Sequence, residues 1–254
     1  MKMINMFYRV FFLVVFLLFF QYFNVYAGGA DNRCSKPVIF PLLSKPINDT
    51  GQEYDNYDWR SSHGANQAVY KSYRIRQSSA KNITKKSFHA ARDLYTDVYN
   101  DKGNYNLLKS RNYVRAVSDG KVLEEVEYFY AGTYKVTVLH NTCDGRSFVI
   151  RYGELDPESI KVSVGQDILQ GQILGRPGFL SKKDKNQNKV PINVILDKVV
   201  FMLHFEYFSK GEVTGKPFSK AFSDNRFDRR ADIEDALDIL EEGYVNSFGE
   251  LLKP

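Results

Sequence analysis

Cysteine is scarce in this chain. Two occur in 254 residues, Cys34 and Cys143, and no CxxC pair is present. That argues against a cysteine-based metal site. An oxidising compartment would permit one disulfide between them, with a geometry that sequence does not reveal. A glycine-rich phosphate loop is missing, and so is a GxSxG elbow, which removes two common routes to phosphoryl and acyl transfer. No internal repeat is visible. The excess of one charge sign is small, 35 basic against 30 acidic side chains for a formal +5. Arg229-Arg230 is too short a basic run to indicate nucleic-acid binding. Histidine is rare too, with four copies at positions 63, 89, 140 and 204.

One long apolar run stands out, Val10 to Phe20, preceded by Lys2 and Arg9 and followed by Val25-Tyr26-Ala27. A charged n-region, an apolar stretch within the range of about 7–15 residues and a small-residue cleavage site read as a secretory signal over residues 1–27, with an uncleaved anchor as the alternative. A spanning helix needs about 20 apolar residues, so no stable membrane span is expected after cleavage. Removing residues 1–27, with two basic and no acidic side chains, leaves a charge of +3. That is an ordinary soluble surface, with at most a mild preference for anionic polymers.

Hydrophobic residues make up 43% of the chain, enough for a packed core. Residues 28–87, polar and punctuated by Pro37, Pro41 and Pro46, are expected to form an irregular lead-in. From 111 onward the pattern predicts short strands and tight turns. Tyr113–Val117 and Lys121–Val126 flank an Asp119-Gly120 turn and predict a hairpin. Tyr134–His140, Ser147–Tyr152 and Val199–Phe208 alternate as strands, and glycine-centred turns fall at Gly165 and Gly171. Residues 181–198 read as an inserted loop. Ile233, Ala236, Leu237 and Leu240 have helical spacing and acidic neighbours, predicting a solvated C-terminal helix within residues 211–254.

Two short motifs carry the chemistry. His89-Ala90-Ala91-Arg92-Asp93 offers an imidazole and a carboxylate; Met202-Leu203-His204-Phe205-Glu206 offers a second imidazole. Period two puts Met202, His204 and Glu206 on one face of a strand and Phe201, Leu203 and Phe205 on the other. Two imidazoles and a carboxylate form a ligand set that suits a catalytic zinc, which takes three protein ligands and leaves a fourth position for water. A lone strand histidine is more often structural, and HxxxD is common by chance, so each motif alone is weak. His140 ends a strand and reads as a structural or rim residue. His63 reads as solvated.

Taken in order, the motifs resemble the lysostaphin/LytM-type zinc endopeptidases of peptidoglycan. The resemblance runs from about Phe88 to Phe208. It includes His89–Tyr95, the Val114–Val122 segment, Tyr134–His140, Arg151-Tyr152-Gly153-Glu154-Leu155, the Val162–Gln166 and Gln170–Gly175 turns, and Leu203-His204-Phe205-Glu206. It implies a mainly β, antiparallel, sandwich-like fold, the duplicated hybrid motif, with the enzyme domain at 88–210. It also implies one Zn²⁺ per chain held by His89, Asp93 and His204. The family resembled carries two further histidines near the metal. Here those positions are Glu154 and Met202. A carboxylate beside a metal-activated water can act as general base, so Glu154 is the candidate catalytic base; Met202 cannot move protons and can only shape a groove. Arg92, Tyr95 and Tyr152 are candidates for substrate contact, with surface ion pairs or simple packing as their plainer alternatives.

The implied activity is hydrolysis of peptide bonds in bacterial peptidoglycan by a periplasmic or secreted protein, with no nucleic-acid partner. The alternative is a catalytically inactive module of the same fold that binds peptidoglycan or regulates a hydrolase. A toxin aimed at competitors' walls is a third reading. The bond cut, the oligomeric state and any inhibitory role of residues 28–87 stay open at the sequence level.

Overall fold

A computed structural model describes residues 32–46, 73–78, 83–100, 105–192, 194–195, 198–211 and 232–249. The expected signal segment and His63 lie outside them. The chain divides into two units, Met1–Ser35 and Lys36–Pro254. Of the first, Asn32–Ser35 forms a single 3-10 turn. No helix among the described residues is long and apolar enough to cross a membrane.

The second unit is mainly antiparallel β. Its first strands are β1 (Tyr73–Ser78), β2 (Ile83–Phe88) and β3 (Arg92–Asn100). Next come β4 (Val114–Arg115), β5 (Gly120–Val122), β6 (Glu127–Tyr128), β7 (Tyr134–Asn141) and β8 (Ser147–Leu155). Then follow β9 (Asp167–Ile168), β10 (Ile173–Gly175), β11 (Ser181–Lys183), β12 (Lys189–Pro191) and β13 (Val194–Ile195). The last are β14 (Lys198–Phe208), β15 (Ile233–Glu234) and helix α1 (Leu237–Phe248). The large sheet runs β13-β14-β8-β7-β5-β9, with β3 and β15 also on β14 and β6 on β7.

Strand β14 organises the unit. Its β-branched and aromatic residues suit a pleated, buried surface. It pairs β3 from Lys198 to Phe205 and β8 from His204 to Phe208. His204 and Phe205 are therefore flanked on both sides, His204 by Asp93 and Gly153, Phe205 by Arg92 and Tyr152. The expected alternation holds, with one difference: both faces are covered. Leu203 and Phe205 enter the main core with Phe148, Ile150 and Tyr152, while Val200 and Met202 pack with Tyr95 and Leu180. Burying one large apolar side chain contributes roughly 1.5–3 kcal/mol, so Leu203 and Phe205 alone lock the register of the strand that carries His204.

Four segments differ from the sequence reading. The lead-in holds a regular hairpin, β1 with β2, and Val38, Phe40 and Leu42 alternate into the main core. The hairpin expected around Gly120 does not form. Strand β4 lies between β10 and residues 39–43, bonded through Ile39 N to Val117 O and Arg115 N to Pro41 O, while β5 pairs β7 and β9. The Asp119-Gly120 turn thus passes the chain from one pairing to another. Finally, α1 is not simply solvated. Ile239, Leu240 and Tyr244 are buried in the core, and Tyr244 packs edge-on against Phe40. Gly243 permits this approach, because a Cβ there would lie 2.9 Å from the Ile39 carbonyl. The segment 181–198 is also more regular than a loop, since β11 and β12 pair within it.

Candidate metal centre

His89 lies in the link between β2 and β3, four residues before Asp93. The β3–β14 register sets Asp93 beside His204. The three side chains converge. His89 Nε2 is 3.1 Å from Asp93 Oδ1, His204 Nδ1 is 2.9 Å from the same oxygen, and the two ring nitrogens are 3.3 Å apart. All three residues are at most 3% exposed. For a tetrahedral zinc with ligand bonds of about 2.0–2.1 Å, the ligand-to-ligand edge is about 3.3 Å. The observed triangle is slightly tighter than that edge. His89, Asp93 and His204 thus form a group suited to holding a metal ion.

Electrostatics favour a cation here. Burial alone would raise the Asp93 carboxyl, but His89 and the hydrogen bonds from His204 and His89 hold it well below the ordinary carboxylate range. Burial would lower the His204 imidazole; its bonds to Asp93 and Glu206 overcome this and push it up to about 9. The site therefore already stabilises positive charge at its centre. Glu206, fully buried, lies 3.2 Å from His204 Nε2 through Oε1 and 2.9 Å from Arg151 Nη1 through Oε2. The Phe129 ring lies 5.2 Å from the His204 ring, and Gly153 makes room for it, since a Cβ there would sit 2.6 Å from a Phe129 ring carbon. Phe129 opens a tight turn closed by Phe129 N to Thr133 O, with Ala131 and Gly132 both at positive φ.

Glu154 follows Gly153, the β8 partner of His204, and is 2% exposed. Its backbone is left-handed, with φ at 61°. Its carbonyl accepts from Gly178 N, and Gly178 bridges onward to Met202. Tyr95 and Met202 are buried together beside this strand junction.

Two candidate substrate contacts are elsewhere. Arg92 shares a face with core residue Leu94, not with Asp93, and forks onto Asp235 with contacts of 2.6 and 2.7 Å. Tyr152 is fully buried in the main core, where its hydroxyl accepts from Val117 N and lies 2.9 Å from His140 Nε2. Both belong to the face of the sheet opposite His204. Cys34 falls in the first unit and Cys143 in the second, and both are exposed.

Glu206 and Arg151 form the part of the centre that sequence reading under-weighted. The period-two spacing of His204 and Glu206 was visible. What was not visible was the β14–β8 register that places Arg151 directly opposite Glu206.

No family model matches the chain, and no curated protein matches it. Among solved structures, it is similar to a zinc-containing peptidase from Vibrio cholerae, with 19% identity, 65% of this chain and 34% of that one covered, and a TM-score of 0.34. It is similar to the antimicrobial peptidase lysostaphin from Staphylococcus simulans, with 19% identity, 65% and 49% covered, and a TM-score of 0.37. It is also similar to a chain of the SpoIIIAH–SpoIIQ complex, with 17% identity, 69% and 91% covered, and a TM-score of 0.33. The chain spans half or less of the length of the first two, 34% and 49%.

Proposed function

We propose that this protein is a zinc metalloendopeptidase that hydrolyses peptide bonds in bacterial peptidoglycan, acting in the periplasm or outside the cell. The observation that carries the reading is the convergence of His89 Nε2, Asp93 Oδ1 and His204 Nδ1, at 2.9–3.3 Å from one another, from motifs 111 residues apart. The electrostatics agree: the Asp93 carboxyl is held well below the ordinary carboxylate range between two imidazoles, and Glu206 is paired with Arg151.

His89, Asp93 and His204 would hold the ion. When bound, Zn²⁺ supplies a Lewis acid and lowers the pKa of a coordinated water. Glu154 takes the proton from the water that adds to the peptide carbonyl and returns it to the leaving amine. Holding a non-glycine residue in the left-handed region costs about 1–2 kcal/mol. Backbone strain of this kind concentrates at functional sites, which supports a working role for Glu154. Tyr95 and Met202 shape the apolar side of the substrate groove, and the 181–198 segment forms a wall.

The second reading, an inactive wall-binding or hydrolase-regulating module, draws on Met202. A buried thioether there provides no proton carrier. Digestion of purified peptidoglycan, with products identified by mass, separates the two. The enzyme releases cross-link or stem-peptide fragments, and Glu154→Gln stops release while about one zinc per chain is retained. Binding to the sacculus without any released fragment would overturn the enzyme reading.

A further inference from the structure

We infer that Glu206, braced by Arg151, is the positioning residue for His204, fixing which ring nitrogen faces the metal. This rests on the proposed metal site. The imidazole of His204 has two nitrogens with different neighbours. Nδ1 faces Asp93 Oδ1 at 2.9 Å and His89 Nε2 at 3.3 Å, the direction a metal would occupy. Nε2 faces Glu206 Oε1 at 3.2 Å. With a metal between Nδ1 and Asp93, Glu206, which as a carboxylate only accepts hydrogen bonds, would keep the one remaining ring proton on Nε2 and leave the Nδ1 lone pair for coordination. Metal-ligating histidines commonly donate their second ring N–H in this way, and the partner raises the basicity of the ligand.

Glu206 cannot drift from this task. It is fully buried, and its other oxygen takes a hydrogen bond of 2.9 Å from Arg151 Nη1, itself 1% exposed. Arg151 and Glu206 stand directly opposite each other in the β8–β14 ladder, so the backbone register holds the pair. The Arg151 guanidinium in turn lies 5.7 Å from the Phe208 ring. A fully buried ion pair contributes little net stability compared with apolar residues of similar size. Its retention at this position is accounted for by aiming one ring.

Metal affinity measures the role apart from catalysis. Zn²⁺ and Co²⁺ dissociation constants, determined by competition with a chromophoric chelator, should weaken about 10–100-fold in Glu206→Ala. Glu206→Gln should recover part of that loss, because its amide oxygen can still accept from Nε2. A single substitution leaves Arg151 buried without its counter-charge and threatens folding. The double variant Arg151→Met/Glu206→Leu removes that charge together with the acceptor, and thermal unfolding of the metal-free protein reports whether the fold is restored. A stable double variant whose Zn²⁺ affinity stays weakened relative to wild type supports positioning. A stable double variant with wild-type affinity overturns it and reduces the pair to a structural one. Failure of wild type itself to bind Zn²⁺, with no difference from His204→Ala, would instead strike the metal-site reading.

Discussion

Two buried histidines lie on opposite faces of one sheet, and their surroundings push them in opposite directions. His204 meets two carboxylates, and its imidazole is pushed up to about 9. His140 meets a carbonyl and a phenol. Its Nδ1 donates to Ser118 O at 2.9 Å, its Nε2 accepts from Tyr152 Oη at 2.9 Å, and burial pushes it down to about 4. Both rings are nearly inaccessible to solvent, so burial alone does not distinguish a ligand from a core residue. The difference is in the partners. Around His140 neutral groups fully use both nitrogens. Around His204 one nitrogen is held by Glu206 and the other faces the convergence of His89 and Asp93.

The sharpest way to break this contrast is to remove each ring in turn. His204→Ala should reduce bound zinc from about one per chain to near zero and bring peptidoglycan hydrolysis to background. His140→Ala should keep the zinc but lower the unfolding free energy by about 3 kcal/mol, from the cavity and from the polar groups left behind on Ser118 and Tyr152. Metal analysis and denaturant unfolding measure the two effects. If His140→Ala lost the metal while remaining folded, the two histidines would not be separate centres.

Acid offers a second test with a defined sign. The His140 imidazole stays neutral in the fold down to about pH 4, whereas an ordinary imidazole protonates near 6.5. Unfolding therefore takes up a proton between those values. The stability that depends on neutral His140 is complete above pH 6.5, declines as pH falls through that window and declines no further below about 4. The full loss is about 3 kcal/mol. His140→Gln cannot titrate, so the difference between its pH–stability curve and that of wild type isolates this contribution. Parallel curves between pH 6.5 and 4 would show that His140 protonates without cost.

Much of the contrast was legible in the sequence, and the missing parts have physical causes. Period two correctly put His204 opposite Leu203 and Phe205. The same period, followed from Phe148 through Ile150, also assigns Tyr152 to the core face, so its proposed contact with substrate ran against its own strand pattern. Arg92 is the harder case. Its partner Asp235 lies 143 residues away, just before α1, where it also accepts from Leu237 N. Strand identity follows from local alternation, but strand pairing depends on long-range register. That is why β14 could be read as a strand while its position between β3 and β8 at His204 could not. The same limit hid the Arg151–Glu206 ladder pair and broke the expected hairpin at Gly120.

The smallest expected effect tests Tyr152 directly. Tyr152→Phe deletes one hydroxyl that accepts from Val117 N and contacts His140 Nε2. The lost hydrogen bonds should cost about 1–2 kcal/mol of stability, because the ring itself still fills its place against Phe205. With its acceptor unpartnered, His140 should also resist acid less well. Zinc content, kcat and KM on peptidoglycan fragments should match wild type, since the hydroxyl lies on the face away from Asp93 and His204. A raised KM with unchanged stability would place Tyr152 in the substrate groove and erase the division between the candidate metal centre and the one that holds the core.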